Sequence, residues 1–191
     1  ITADGFSPVT PYAVEQLRAI GCDVKEKDYQ EFGSYEEYVE YIKDADAICV
    51  GIEPCDAKTL EQLPNLKLIA RRGVGVDNID MDYCRERGIE VARTKGAVAP
   101  AVAELTVGYI LQFVRDIPAM NRDMHGGKWD RYIMPGLPCQ TVGMVGMGSI
   151  GYELAMRLKP FGVKMLYNAR HKKPEMEEKL SVEYRGLGEL M

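Results

Sequence analysis

The chain has 191 residues, 46% of them hydrophobic and 28% charged, which supplies a real apolar core and excludes a disordered, collagen-like or coiled-coil protein. At one domain per ~150 residues its length corresponds to about 1.3 domains, which fits one large domain or two incomplete ones; the second is expected. Twenty-four basic residues against 29 acidic ones leave a net charge of −5, so the basic footprint of a nucleic-acid surface is missing and nucleic acid is not an expected partner.

In chain order, residues 1–3 read as the end of a strand and 12–20 as a helix with apolar residues at helical spacing. Short β-type runs follow at 24–27, 47–50, 66–70 and 89–92, with further helical stretches at 35–42, 60–63 and 81–87. Strands that alternate with helices build parallel β-α-β units. The segment 98–117 is different, because Val98, Ala101, Val102, Leu105, Val107, Ile110, Leu111, Phe113 and Val114 run almost all the way round a helix. Such a helix is expected to be buried on every side, as between two domains, and Pro100 suits its first turn, where a missing N–H has no intrahelical partner. Glu104 and Gln112 interrupt this stretch, which is too short to span a bilayer, so no membrane is expected. A loop-rich passage with Gly126-Gly127, Pro135-Gly136, Pro138 and the only tryptophan, Trp129, leads to a new unit: strand 141–145, helix 150–159, strand 163–167.

Five cysteines, Cys22, Cys49, Cys55, Cys84 and Cys139, are odd in number and contain no C-x-x-C pair, so neither a disulfide framework nor a metal site is expected. With no leader pattern at the start, a cytoplasmic location is expected, where thiols stay reduced.

The stretch that carries chemistry is 141–151, TVGMVGMGSIG, a strand running through G-x-G-x-x-G into a helix. Gly146 permits the tight turn, Gly148 lets the backbone approach a pyrophosphate, and Gly151 lets helix and strand pack closely. The pyrophosphate then sits on the free N–H groups and the positive dipole end of the helix, beside Met147, Ser149 and Ile150. At the end of the second strand an acidic residue would hold the ribose of NAD, whereas an arginine accommodates the 2′-phosphate of NADP. This chain has Asn168, which does not repel a phosphate, then Arg170, His171, Lys172 and Lys173. NADP is therefore the preferred cofactor, with NAD as the alternative if Asn168 bonds the ribose and the cluster is solvated loop.

With these residues in place the chain resembles the D-isomer-specific 2-hydroxyacid dehydrogenases, the family that includes D-3-phosphoglycerate dehydrogenase and glyoxylate/hydroxypyruvate reductase. Three signatures carry the resemblance: Ala70-Arg71-Arg72-Gly73-Val74-Gly75-Val76-Asp77-Asn78-Ile79-Asp80, then Val102-Ala103-Glu104-Leu105-Thr106, then Gly127-Lys128-Trp129 before the glycine-rich loop. It spans nearly the whole chain and is sharpest from Leu66 onward. It implies an α/β protein of two parallel-sheet domains, Rossmann-like and flavodoxin-like, both incomplete here. Residues 1–96 would be the N-terminal part of the substrate domain and 97–191 that of the NAD(P)-binding Rossmann domain, with substrate in the cleft between.

The resemblance further implies that the loop 72–77 is a carboxylate site in which the N–H groups of Val74 and Gly75 hold the substrate as an anion nest does; a plain glycine turn is the alternative. Arg71 and Arg72 then either add charge to the site or serve as surface salt-bridge partners. Val102 and Thr106 would pass near the nicotinamide, and Glu104 would support the helix start. A homodimer is implied, with 113–129 as its interface, although Trp129 suits a core position equally. Glu53 and Pro54 line the cleft or form a solvated turn. Where many members carry Pro and Asn before the helix, this chain has Lys95 and Val98, so the asparagine's polar contact is not carried over.

The family's catalytic arginine, glutamate and histidine lie beyond the point matching 186–191, and neither His125 nor His171 matches the histidine. No catalytic residue is carried over, and the chain is expected to be an inactive part of a protein of about 300 residues. For the parent the implied activity is NAD(P)-dependent hydride transfer between nicotinamide and a small 2-keto or D-2-hydroxy acid. The alternative is a non-enzymatic dinucleotide sensor or corepressor-like module, since fold alone does not decide function.

Overall fold

The computed structural model describes residues 11–191, so the expected strand at 1–3 lies outside the described residues. The chain forms two compact units, Ile1–Lys95 and Gly96–Met191. In the first, helices α1 (Pro11–Ala19), α2 (Tyr35–Ile42), α3 (Ala57–Leu60) and α4 (Met81–Arg87) alternate with strands β1 (Ala47–Val50), β2 (Leu68–Arg71) and β3 (Glu90–Arg93). The sheet is parallel in the order β1-β2-β3, with Cys49 opposite Ala70 and Ala70 opposite Ala92. Its core gathers Ile42, Ile48, Leu60, Leu63, Ile69 and Cys84, the apolar positions of strands and helices that face one another.

Local capping sets the ends of these helices. The Ser34 hydroxyl accepts the Glu37 N–H at 3.1 Å to open α2, and Asp80 accepts the Tyr83 N–H at 2.9 Å to open α4, each satisfying a donor the helix leaves unpaired. Gly88, at φ 69°, ends α4 in the left-handed conformation that glycine adopts without strain. The helix expected at 60–63 starts earlier, at Ala57, because Asp56 caps it through the Thr59 N–H and hydroxyl. The expected strand at 24–27 is not seen: those residues join no ladder among the described residues, and strand propensity without a paired edge does not make a strand.

The second unit contains α5 (Ala99–Arg115), α6 (Ile117–His125), β4 (Thr141–Val145), α7 (Ser149–Leu158), β5 (Lys164–Asn168), α8 (Pro174–Leu180), β6 (Val182–Tyr184) and α9 (Leu187–Leu190). Its sheet is parallel in the order β4-β5-β6, with Val145 opposite Asn168 and Tyr167 opposite Tyr184. Pro100 sits in the first turn of α5, as expected. The long helix stops at Asp116, which takes φ 47°, and Pro118 then falls in the first turn of α6, so a second helix occupies a stretch taken for loop.

Within its own unit α5 is not covered on every side. Only Ala99 and Ala103 are buried, whereas Leu105 is 56% and Phe113 88% exposed. One stripe, Ala103 with Val107 and Ile110, packs on the core formed by Leu154, Leu158 and Met144. A single neighbouring layer covers one stripe of a helix, and the rest of this apolar perimeter faces outward. Among the described residues no helix is long and apolar enough to cross a membrane.

Candidate functional site

Parallel α/β sheets place ligand-binding loops at the carboxyl ends of their strands, and both units carry a glycine-rich loop there. In the second unit β4 runs into Gly146, whose φ of 103° makes the tight turn and whose N–H donates to the Asn168 carbonyl at 2.8 Å. A Cβ on Gly151 would lie 2.6 Å from the Gly146 carbonyl oxygen, so this glycine permits the close approach of α7 to the turn. Gly148 is different. Its φ of −85° suits any residue, and a Cβ there would meet nothing within 4 Å. Nothing inside the chain requires glycine at 148, and the space a side chain would take is left open.

The first intrahelical bond of α7 runs from the Tyr152 N–H to the Gly148 carbonyl at 2.9 Å. The N–H groups of Ser149, Ile150 and Gly151 precede it and have no carbonyl within the helix to bond. They border an open groove of 640 Å³ that Thr106, Ile110, Gly146, Gly148, Ser149 and Ile150 line. The Thr106 hydroxyl donates back to the Val102 carbonyl at 2.7 Å, so it faces the groove chiefly as an acceptor. Met147, expected among the cofactor-contacting residues, has its side chain 1% exposed in the core, which leaves only its backbone for that role.

The end of β5 presents Asn168, with Arg170, His171 and Lys172 exposed after it. The Asn168 amide nitrogen donates to the Arg185 carbonyl at 2.8 Å, which leaves its oxygen as the acceptor at the strand end. Lys172 approaches Glu177 at 3.7 Å. Lys173 does not join this exposed cluster: its ammonium donates to the Met147 carbonyl at 2.6 Å. Burial holds the Tyr167 hydroxyl above the usual phenol range, and it donates to Glu177 at 2.9 Å.

In the first unit the loop after β2 is organised by two arginines. Arg71 makes no salt bridge among the described residues; it donates to the Gly75 carbonyl at 3.0 Å and the Arg72 carbonyl at 2.7 Å. Arg93 donates to the Val74 carbonyl at 3.3 Å. With these carbonyls held by cations, the N–H groups of Val74 and Gly75 make no hydrogen bond among the described residues, and Arg72 is exposed beside them. Gly73, at φ 153°, leaves room for the Arg71 guanidinium, which a Cβ would approach to 2.7 Å.

Glu53 is 3% exposed, so the solvated turn considered for it is excluded. Its carboxylate accepts the Gly51 N–H, while the Asn78 amide donates to the carbonyls of Glu53 at 2.6 Å and Gly51 at 3.3 Å. Asn78, Arg93 and Lys173 are the supporting residues the sequence did not reveal, since each acts through a backbone carbonyl far along the chain. Burial, then the nearby Glu53, pushes the Cys55 thiol up to about 12, which makes it a protonated core residue and no nucleophile.

The family model described as D-isomer specific 2-hydroxyacid dehydrogenase, catalytic domain, matches residues 5–183. The glyoxylate reductase of Thermofilum pendens is 40% identical over 156 residues, covering 76% of this chain and 45% of that protein. The hydroxypyruvate reductase of Thermotoga maritima is 39% identical over 159 residues, covering 81% and 51%. Among solved structures, D-lactate dehydrogenase from Aquifex aeolicus complexed with NAD and lactic acid superposes with a TM-score of 0.81 at 28% identity, covering 99% of this chain and 56% of that one. The chain spans about half the length of the curated relatives it matches.

Proposed function

Because the chain belongs to the D-isomer-specific 2-hydroxyacid dehydrogenase family, we propose that its protein is an NAD(P)-dependent oxidoreductase acting on small 2-keto and D-2-hydroxy acids. The observation that carries this reading is Gly148: a glycine with ordinary backbone angles and open space where its side chain would be, at the mouth of a helix with unbonded N–H groups. That arrangement fits a pyrophosphate. When bound, the nicotinamide supplies the hydride that reduces a carbonyl carbon.

In this proposal the first unit is the substrate domain and the second the cofactor domain. Ser149, Ile150 and the turn at 146–148 hold the pyrophosphate, and Thr106 borders the nicotinamide end. The Asn168 oxygen accepts from the adenosine ribose, while Arg170, His171 and Lys172 favour a 2′-phosphate and therefore NADP over NAD. Val74 and Gly75 donate their N–H groups to the substrate carboxylate, with Arg72 adding positive charge. The exposed Phe113 on α5 and Trp129 in the loop after α6 support a homodimer through residues 113–129. The five unpaired thiols support a cytoplasmic location. The non-enzymatic sensor is not favoured, since the named relatives are reductases and dehydrogenases.

The test is an NADPH and NADH titration of the full-length protein followed by NADPH oxidation with glyoxylate, hydroxypyruvate and related keto acids. Tighter NADPH binding with turnover of at least one acid is the expected result. Binding without turnover across the panel sinks the enzyme reading, and an NADPH affinity at or below that of NADH sinks the NADP preference.

A further inference from the structure

The loop between β5 and α8 is tied to the glycine-rich turn by a residue that no cofactor contact requires. Lys173 is half-buried, and its ammonium reaches the Met147 carbonyl at 2.6 Å. Its own N–H donates at 2.8 Å to the hydroxyl of Tyr167, whose buried ring is in turn anchored by the bond to Glu177. The lysine is therefore held at its backbone as well as at its tip.

In a planar trans peptide the carbonyl and the following N–H point in opposite directions. A cation that holds the Met147 carbonyl thus turns the Gly148 N–H to the opposite side. Gly148 itself lines the groove. Gly148 has no Cβ to restrict rotation about the bond that follows this peptide, and the Met147 side chain is buried.

Resting on the dinucleotide reading above, we propose that Lys173 is a positioning residue that latches the Met147–Gly148 peptide in the orientation whose N–H faces the pyrophosphate. It acts through the Met147 carbonyl and touches no ligand itself. A lost charge-assisted hydrogen bond corresponds to about tenfold in an equilibrium constant, so that is the expected size of the effect on binding.

The test compares the full-length wild type with Lys173→Met and Lys173→Arg. Calorimetric titration should show Lys173→Met weakening both NADH and NADPH about tenfold while leaving 2′-AMP, which lacks the pyrophosphate, within about twofold. Lys173→Arg should recover most of the loss, because a guanidinium also donates to the carbonyl. Equal weakening of 2′-AMP would mean that the lysine only supplies positive potential or general stability, and overturns the latch. In the unliganded proteins the Gly148 amide should acquire microsecond-to-millisecond relaxation dispersion in Lys173→Met and none in the wild type; no difference also overturns it. If the wild type binds no dinucleotide, the functional reading fails, yet the dispersion measurement still decides the latch.

Discussion

Exchanging glycine for alanine at two positions of one turn separates a ligand-imposed glycine from a packing-imposed one. At Gly148 the backbone angles accept alanine and its Cβ meets nothing within 4 Å. Folding stability should then hold or rise by about 0.4–1 kcal/mol, because alanine restricts the unfolded chain. In the proposed cofactor site the same methyl group would project into the space of the pyrophosphate. Pushing the phosphate off two backbone N–H groups forfeits hydrogen bonds to a charged partner, each about 1.5–3 kcal/mol. NADPH affinity should fall by roughly a hundredfold or more. At Gly151 the Cβ would stand 2.6 Å from the Gly146 carbonyl oxygen, a backbone atom that cannot swing aside. Overpacking of that kind costs about 1–3 kcal/mol, offset by up to ~1 kcal/mol of helix propensity. Gly151→Ala should therefore unfold at lower urea than the wild type, and Gly148→Ala should not. The assay is urea denaturation followed by circular dichroism, beside a fluorescence titration with NADPH. A Gly148→Ala protein that binds NADPH within about twofold of the wild type refutes the reasoning.

Three further outcomes are expected. Tyr38 is 2% exposed with a hydroxyl that has no hydrogen-bond partner among the described residues, and burial pushes its ionisation well above the usual phenol range; Tyr38→Phe should stabilise the protein by about 1 kcal/mol in urea denaturation, and a loss of stability contradicts this. The Asp56 carboxylate, held below its ordinary range by the Thr59 hydroxyl and N–H, contributes stability that is present above its unfolded pKa of about 3.9 and lost as pH falls through its lower folded value. Asp56→Ala should accordingly cost about 1 kcal/mol at neutral pH, with the gap to the wild type closing in acid; a gap that persists there refutes the cap. If the proposed homodimer forms through 113–129, Phe113→Glu should shift the full-length protein from dimer to monomer in sedimentation; a wild type that is monomeric, or a variant of unchanged mass, contradicts the interface.

Much of the second unit was legible because its chemistry is local. Strand, turn and helix follow each other within 141–158, and Gly146 and Gly151 answer to a geometry set within five residues. The strand end at Asn168 was legible for the same reason, since the paired strands are joined by one short helix. The helix Ile117–His125 was missed because its start depends on the left-handed Asp116, a residue type that gives no such signal by itself. What covers α5 is not legible in the sequence, because an apolar perimeter tells what a helix can cover, and only the arrangement of neighbours tells what does cover it.

The sequence by itself determined the alternation of strands and helices in each unit, the turn with its three glycines and the uncharged end of the strand beside it, because periodicity and backbone freedom act over a few residues. Only the tertiary structure decided that Arg71 and Arg93 hold the carbonyls of the loop at 72–75, that Asn78 joins two loops across 25 residues, and that Lys173 grips Met147 across 26. Apart from those of Arg71, which reach only as far as Gly75, those bonds join a side chain to a distant backbone carbonyl, an acceptor every residue carries, so they leave no mark in the order of amino acids until the chain has folded.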